Sequence, residues 1–417
     1  MRILRLTADI EKELLAARQT RDLEAERAAS TIVAEIRQRG DAALFEFVRK
    51  FDNAGFRGKD LRIGKKQIRA ARKRVPEDFL SAIRHASRNI RAVAERQLPK
   101  AWKINIEPGV LIRQRVVPIE SIGCYIPGGR FALVSTLLMT VIPARVAGVP
   151  EIIVVCPKPN DELLAAADFL GISEILRIGG AQAIAALAYG TESVPRVEKI
   201  FGPGNRFVTA AKQIVSSDCA IDLPAGPTEA IVLADSGNAS WIAADLLAQA
   251  EHAPDAGSFL VTTSAKFGES VAQEVAVQLR ELPETNPAHQ SMTAVGAVVV
   301  ASSQKAACEF INRFAPEHLS LPSASRALLT QINSAGTIFT GPCGAQPFGD
   351  YVSGSNHVLP TGGWARSRGG LSTADFVKCS TVQEISRTGM KRLAASAEVL
   401  ATTEGLLAHR NAVSVRR

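Results

Sequence analysis

The chain lacks any run of about 18 uninterrupted apolar residues, so nothing in it reads as membrane-spanning. Its opening, Met1-Arg-Ile-Leu-Arg-Leu-Thr-Ala-Asp-Ile-Glu-Lys-Glu, is charged every few residues and holds no apolar core of a secretory signal. Cysteine is sparse: Cys124, Cys156, Cys219, Cys308, Cys343 and Cys379 are scattered without CxxC or a disulfide-like rhythm, which predicts buried, reduced thiols in a cytoplasmic protein. Aromatics are few, with three Tyr and three Trp. That scarcity decides how to read a net charge of +8, much of it between Arg57 and Lys103. Nucleic-acid binding wants basic residues interleaved with stacking rings, and only Phe79 and Trp102 lie nearby, so the basic stretch reads as a solvated helical face. Low-complexity tracts and internal repeats are missing as well.

What is present is an ordinary globular balance, 46% apolar and 22% charged, over 417 residues, more than one core usually holds. Residues 8 to about 96 read as helices, with Ile32, Val33, Ile36 and then Leu44, Phe45, Phe47, Val48 at helical spacing on either side of Gly40-Asp41. From about Ile104 the period changes to strands, at 110–118 and 121–126. Strands near 151–156, 174–178 and 197–201 then alternate with helices near 130–148, 161–170, 181–189 and 206–216. Past Asp222-Leu-Pro-Ala-Gly-Pro-Thr-Glu229 the rhythm returns, with strands near 231, 259, 297 and 336. Such alternation implies two parallel sheets with helices on their faces. From Thr373 the chain reads as mostly helical and too short to hold a core, so it must pack on something, a partner subunit being the natural candidate.

Chemistry-bearing residues concentrate in loops. Tyr125-Ile-Pro-Gly-Gly129, Gly179-Gly180-Ala-Gln182 and Gly202-Pro-Gly-Asn205 belong on the carboxyl edge of the first sheet, where ligands bind and free N–H groups at helix starts favour phosphate. None matches GxGxxG with its acidic partner, and each alone is equally a tight turn. In Asp245-Leu-Leu-Ala-Gln-Ala-Glu-His-Ala-Pro-Asp255, Gln249 and His252 leave the end of a helix on one face, half of a borderline metal site or simply a capped helix end. Glu317-His318 follows a helix and suits proton transfer, or else a helix-end pair against the macrodipole. A long glycine-rich loop, 341–363, holds Asp350 and His357, and Glu404 and His409 lie on the last helix.

The motifs Pro-Ala-Gly-Pro-Thr-Glu, Gln-Ala-Glu-His, Ala-Pro-Glu-His-Leu, Gly-Asp-Tyr-Val-Ser-Gly-Ser-Asn-His-Val-Leu-Pro-Thr and Glu-Gly-Leu-Leu-Ala-His occur in that order, and with them the sequence resembles the histidinol dehydrogenase family from about residue 30 onward. The resemblance implies an α/β homodimer of two incomplete Rossmann-like domains, aldehyde-dehydrogenase-like in class. It divides the chain into an N-terminal helical arm (1–21), a first domain (22–118 with 229–371), an NAD-side domain (119–228) and a tail exchanged between subunits (372–417). It further implies oxidation of L-histidinol to L-histidine through the aldehyde with two NAD, and one Zn2+ (or Mn2+) on Gln249, His252, Asp350 and the second copy's His409. Proton transfer falls to Glu317 and His318, substrate contacts to Thr228, Glu404, His318 and the ligands, and NAD contacts to Tyr125, Gln182 and Asn205.

Three departures from the family pattern stand out: Thr228 where Ser is usual, Arg130-Phe131 after the Gly128-Gly129 turn, and a shortened segment between Asn205 and Thr228. An arginine near the site leaves open another primary alcohol, such as a sulfonated diol. Other classes remain on the table: a zinc hydrolase using Glu317, or a nucleic-acid binder using 57–103.

Overall fold

A computed structural model describes residues 1–18, 22–128, 133–223, 226–322 and 326–417. Its strands in chain order are β1 (Arg2–Arg5), β2 (Arg62–Gly64), β3 (Trp102–Glu107), β4 (Val110–Pro118), β5 (Ser121–Tyr125), β6 (Glu151–Val155), β7 (Glu174–Leu176) and β8 (Lys199–Phe201). They continue with β9 (Ala220–Ile221), β10 (Glu229–Leu233), β11 (Gly257–Thr262), β12 (Ala297–Val300), β13 (His318–Leu321), β14 (Thr337–Thr340) and β15 (Val377–Ile385). One six-stranded sheet runs β2-β7-β6-β5-β8-β9, parallel except for the edge strand β2. A second, wholly parallel, runs β1-β12-β11-β10-β13-β14. β3, β4 and β15 form a small antiparallel sheet.

Burial on both faces explains the composition of the central strands. β5 and β10 are buried throughout, as parallel strands covered by helices must be. The helix Val134–Ala147 is apolar all round and is packed between the first sheet and the helices Glu77–Gln97 and Asp161–Phe169. Phe201 at the end of β8 stacks on Phe376 with centroids 4.1 Å apart, which ties the start of the tail to the first sheet.

Four expectations need correction. Residues 22–118 do not join 229–371: the helices Leu23–Arg39 and Asp41–Phe51 pack on Gly180–Tyr189 and Arg206–Val215, and β2 pairs with β7. Ala25, Ala29, Ile32, Val33 and Ile36 share one core with residues 181–188, and a helical stripe in a sequence does not say which sheet it covers. The N-terminal segment is not purely helical, because β1 extends the second sheet beside β12 before the helix Ala8–Ala16 begins. The tail opens with nine residues of strand, β15, laid against the whole of β4, and only then turns helical at Arg387–Thr403 and Leu407–Ser414. Cys343 and Cys379 are exposed, whereas the other four cysteines are buried. No helix among the described residues is long and apolar enough to cross a membrane.

Candidate active site

The helix Gln304–Phe314 ends on Ala315, whose φ of 50° reverses the chain before Pro316. His318 is then the first residue of β13, in register with Ala230 of β10 and Thr337 of β14, and not a loop residue as its sequence context suggests. Glu317 and His318 are 7% and 4% exposed, so both titratable groups are sealed from bulk water.

A run of hydrogen bonds fixes the acid. Glu317 Oε2 accepts from the Glu229 backbone N–H at 2.9 Å and from the Thr228 hydroxyl. Thr228 Oγ1 in turn accepts from Gln249 Nε2 at 2.6 Å, and Gln249 Oε1 accepts from Gln346. Both ends of the Gln249 amide are thus engaged, and its oxygen keeps one lone pair beside the Gln346 bond with which a cation could be met. Gln346 and Asp350 lie one turn apart on the helix Gln346–Tyr351, which packs on the helix Ala239–Ala250 that carries Gln249. His252 follows that helix's last turn, with Nδ1 3.0 Å from the Ala248 carbonyl, so Nε2 is the ring nitrogen left free for a ligand.

His318 stands between two carboxylates: Nδ1 is 3.7 Å from Glu317 Oε2 and Nε2 is 3.6 Å from Asp350 Oδ1. Among the described residues Nδ1 has no hydrogen-bond partner. Burial alone pulls the His318 pKa down, but the two carboxylates outweigh it and hold it above the usual value. Burial pushes Glu317 up in spite of His318 and its own hydrogen bonds. Burial would raise Asp350 too, yet the imidazole beside it keeps that acid below the ordinary range.

Beneath this layer, Arg18 reaches in from the N-terminal segment, pairing with Glu229 at 2.6 Å and lying 3.7 Å over the Phe314 ring. His357 spans the two halves of the molecule. Its Nδ1 meets the Asp350 carbonyl at 2.9 Å and its Nε2 the Thr136 hydroxyl at 3.2 Å, so it braces the Asp350 helix against the first sheet's helix Val134–Ala147. Burial lowers its pKa and suits this neutral bridging role.

At the carboxyl edge of the first sheet, the expected free N–H groups are already taken. Gly179 N–H donates to Asp52 Oδ2 and Gly180 N–H to the Tyr125 hydroxyl, each at 3.1 Å. Gln182 Nε2 also donates to Asp52 Oδ2, at 3.1 Å. The Gly202 N–H donates to Asp222 at 2.8 Å, and Asn205 caps its own helix through Phe207 and Val208. Glycine is required at position 202, where φ is +116° and a Cβ would fall 2.1 Å from the Tyr125 carbonyl oxygen. Tyr125, Gln182 and Asn205 therefore come to one edge, but as parts of a closed network.

As metal donors, Gln249, His252 and Asp350 offer an amide oxygen, an imidazole nitrogen and a carboxylate, a set suited to zinc or manganese. His252 is exposed at the end of its helix, and its charge would lower the pKa values of Glu317 and Asp350. No three His, Cys, Asp or Glu side chains gather for a metal among the described residues. Glu404 and His409 are exposed, and no hydrogen bond or ion pair joins either to these donors among the described residues. Arg130 and Phe131 lie outside the described residues.

A family model for histidinol dehydrogenase matches residues 15–417. The chain belongs to the histidinol dehydrogenase family. The histidinol dehydrogenase of Aquifex aeolicus is 43% identical over 396 residues, covering 94% of this chain and 93% of its own length. That of Halalkalibacterium halodurans is 44% identical over 398 residues, with 94% and 93% covered. The crystal structure of histidinol dehydrogenase from Elizabethkingia anophelis superposes with a TM-score of 0.93 at 37% identity, covering 100% of this chain and 97% of that one. An acetylating aldehyde dehydrogenase from Geobacillus thermoglucosidasius, 11% identical with a TM-score of 0.51 over 91% of this chain and 99% of its own, shares the fold alone. The chain is thus an NAD-dependent dehydrogenase of histidine biosynthesis on an aldehyde-dehydrogenase-like α/β fold. For a histidinol dehydrogenase, sequence reasoning missed Asp52, Gln346 and the Arg18–Glu229 pair, none of which stands in a motif that signals its partner.

Proposed function

We propose that this chain oxidises L-histidinol to L-histidine through the aldehyde, handing one hydride to each of two NAD, at a divalent cation held by Gln249, His252, Asp350 and His409 of a second copy of the chain. The observation that carries the reading is the bonded run Gln346–Gln249–Thr228–Glu317 beside a buried His318 flanked by two carboxylates. When bound, the cation would fix the amino alcohol by its nitrogen atoms and set the carbinol carbon toward the nicotinamide. His318 takes the hydroxyl proton as the first hydride leaves. Glu317 then draws a proton from water, whose oxygen adds to the aldehyde carbon before the second hydride departs. Thr228 keeps Glu317 aimed, and Glu404 gives a cationic amino alcohol its counter-charge. Tyr125, Gln182 and Asn205 line the NAD side.

A homodimer fits the tail. Val399, Leu400, Leu407 and Val415 are 65%, 62%, 64% and 70% exposed on the helical pair that bears Glu404 and His409, an apolar surface that a second copy would cover. The relatives favour histidinol over a sulfonated diol as substrate. The test is NADH release from histidinol and from a panel of diols, before and after chelation. Two NADH per histidinol, lost with the metal and restored by Zn2+ or Mn2+, is expected; a preferred diol, or turnover indifferent to chelation, overturns the reading.

A further inference from the structure

Asp52 stands just past the helix Asp41–Phe51, far from every motif of the site, yet its carboxylate fills the turn that opens the helix Gly180–Tyr189. Oδ2 accepts from Gly179 N–H and from Gln182 Nε2. Oδ1 accepts from no described residue, and Asp52 is only half-buried. Pro157 lies against both Gly128 and Gly179 beside it, and Lys158 is the cation that acts on the carboxylate. A phosphate at this helix start would have to displace a bound anion, so the usual use of such a turn is shut. A hydroxyl is another matter, because a carboxylate oxygen with spare lone pairs accepts from it directly.

Resting on the reading of this edge as the NAD side, we infer that Asp52 Oδ1 receives a ribose hydroxyl of the dinucleotide and excludes a 2′-phosphate, making Asp52 the residue that selects NAD over NADP. Its origin differs from the acid of an ordinary dinucleotide fold, which follows a strand of the same sheet; here it comes from the end of a helix in the N-terminal region. Burial raises the Asp52 pKa, and Lys158, exposed on the loop after β6, acts against that rise as a nearby positive charge. Removal of the acid therefore costs a hydrogen bond to the ribose and also leaves an uncompensated ammonium that attracts phosphate.

The test measures binding of ADP-ribose and of 2′-phospho-ADP-ribose to the full-length protein by calorimetry, in the parent and in Asp52→Asn. ADP-ribose should weaken roughly ten- to a hundredfold, the size of a lost charged hydrogen bond, while the 2′-phosphorylated ligand binds as well or better. Equal loss for both ligands, or an unchanged ratio, overturns the inference. Lys158→Met guards against a variant that fails to fold: with Asp52 intact and its counter-charge gone, preference for the unphosphorylated ligand should rise, and an unaltered preference overturns the inference as well. Neither readout needs turnover, so failure of histidinol oxidation would leave this test standing.

Discussion

The first sheet presents the carboxyl ends of β5, β7 and β8 to its ligand side, whereas the second presents the amino ends of β10 and β13, since Thr228 and Glu229 open one strand and Glu317 and His318 the other. This reversal decides which helix ends arrive. At the carboxyl edge the chain delivers helix starts, Gly180 and Arg206, whose N–H groups call for anions, and Asp52 and the Tyr125 hydroxyl answer at the first of them. At the amino edge it delivers helix ends, Ala250 with Gln249 and His252, and Phe314 before Glu317, whose carbonyls call for cations. Arg18 answers one of those, donating to the Phe314 carbonyl. Gln249 and His252 lie at the other, so the cation proposed for them would meet favourable carbonyl dipoles there. A protein that must hold a nucleotide and a cation side by side gains both preferences by setting one sheet's carboxyl edge against another's amino edge, and His357 joins the two across Thr136 and Asp350.

The largest effect should come from the amino edge. His318→Asn should lower the alcohol step about a thousandfold, within the range for a lost general base, and leave metal content intact by elemental analysis. Loss of metal would make His318 a ligand and dissolve the division of labour. His252→Ala is the converse variant and should lose metal and activity together. On the carboxyl edge a buried pair is the weak point: Lys212 donates to Asp222 and to the Gly202 carbonyl, with both side chains almost fully enclosed. Asp222→Asn strands that ammonium and should cost about 3–5 kcal/mol in a denaturant melt. A loss well below that would mean that the Gly202 turn holds without its carboxylate. Thr228→Val, which keeps shape and removes the hydroxyl between Gln249 and Glu317, should reduce the aldehyde step by roughly tenfold, about one hydrogen bond's worth, and spare the alcohol step; equal losses in both would deny Glu317 its separate role.

How far the sequence carried this picture follows from where each signal is local. The alternation of β5 through β8 was legible because buried strands and capped helices repeat at short range, as with Asn160, whose side chain caps Asp161–Phe169 through Leu163 N–H, whereas the two residues of β9 were too few to signal a strand. β1 and β15 were not: Arg-Ile-Leu-Arg and Val-Lys-Cys-Ser-Thr-Val-Gln-Glu-Ile expose most residues, and their partners lie about 295 and 270 residues away in register. β13 was hidden by its brevity and by Pro316, so His318 looked like a loop residue while lying between two strands of a parallel sheet. Helix spacing put Gln249 beside His252, but nothing local announced Gln346, which bonds Gln249 and lies one turn before Asp350 on its helix. Asp52 gave no signal, since a single acid after a helix has no local reason to meet Gly179.

The smallest effect tests how dry the amino-edge helix is. Asp245 lies one turn before Gln249 on the helix whose end should favour cations, and burial alone raises its pKa from 3.8 to about 6. The folded chain therefore keeps this proton at pH values where the unfolded chain has lost it. The contribution of Asp245 to stability is accordingly greatest in acid, falls as pH climbs from 3.8 toward 6, and is flat above that. Asp245→Asn removes the titration, so the variant should gain over the parent at pH 8 by about 1–2 kcal/mol once partial exposure is allowed for, and by nothing at pH 3.5. Paired melts at the two pH values read this directly. A gain at both would trace the effect to packing, and no gain at pH 8 would mean that the ionised carboxylate keeps enough water not to be a burden in this helix.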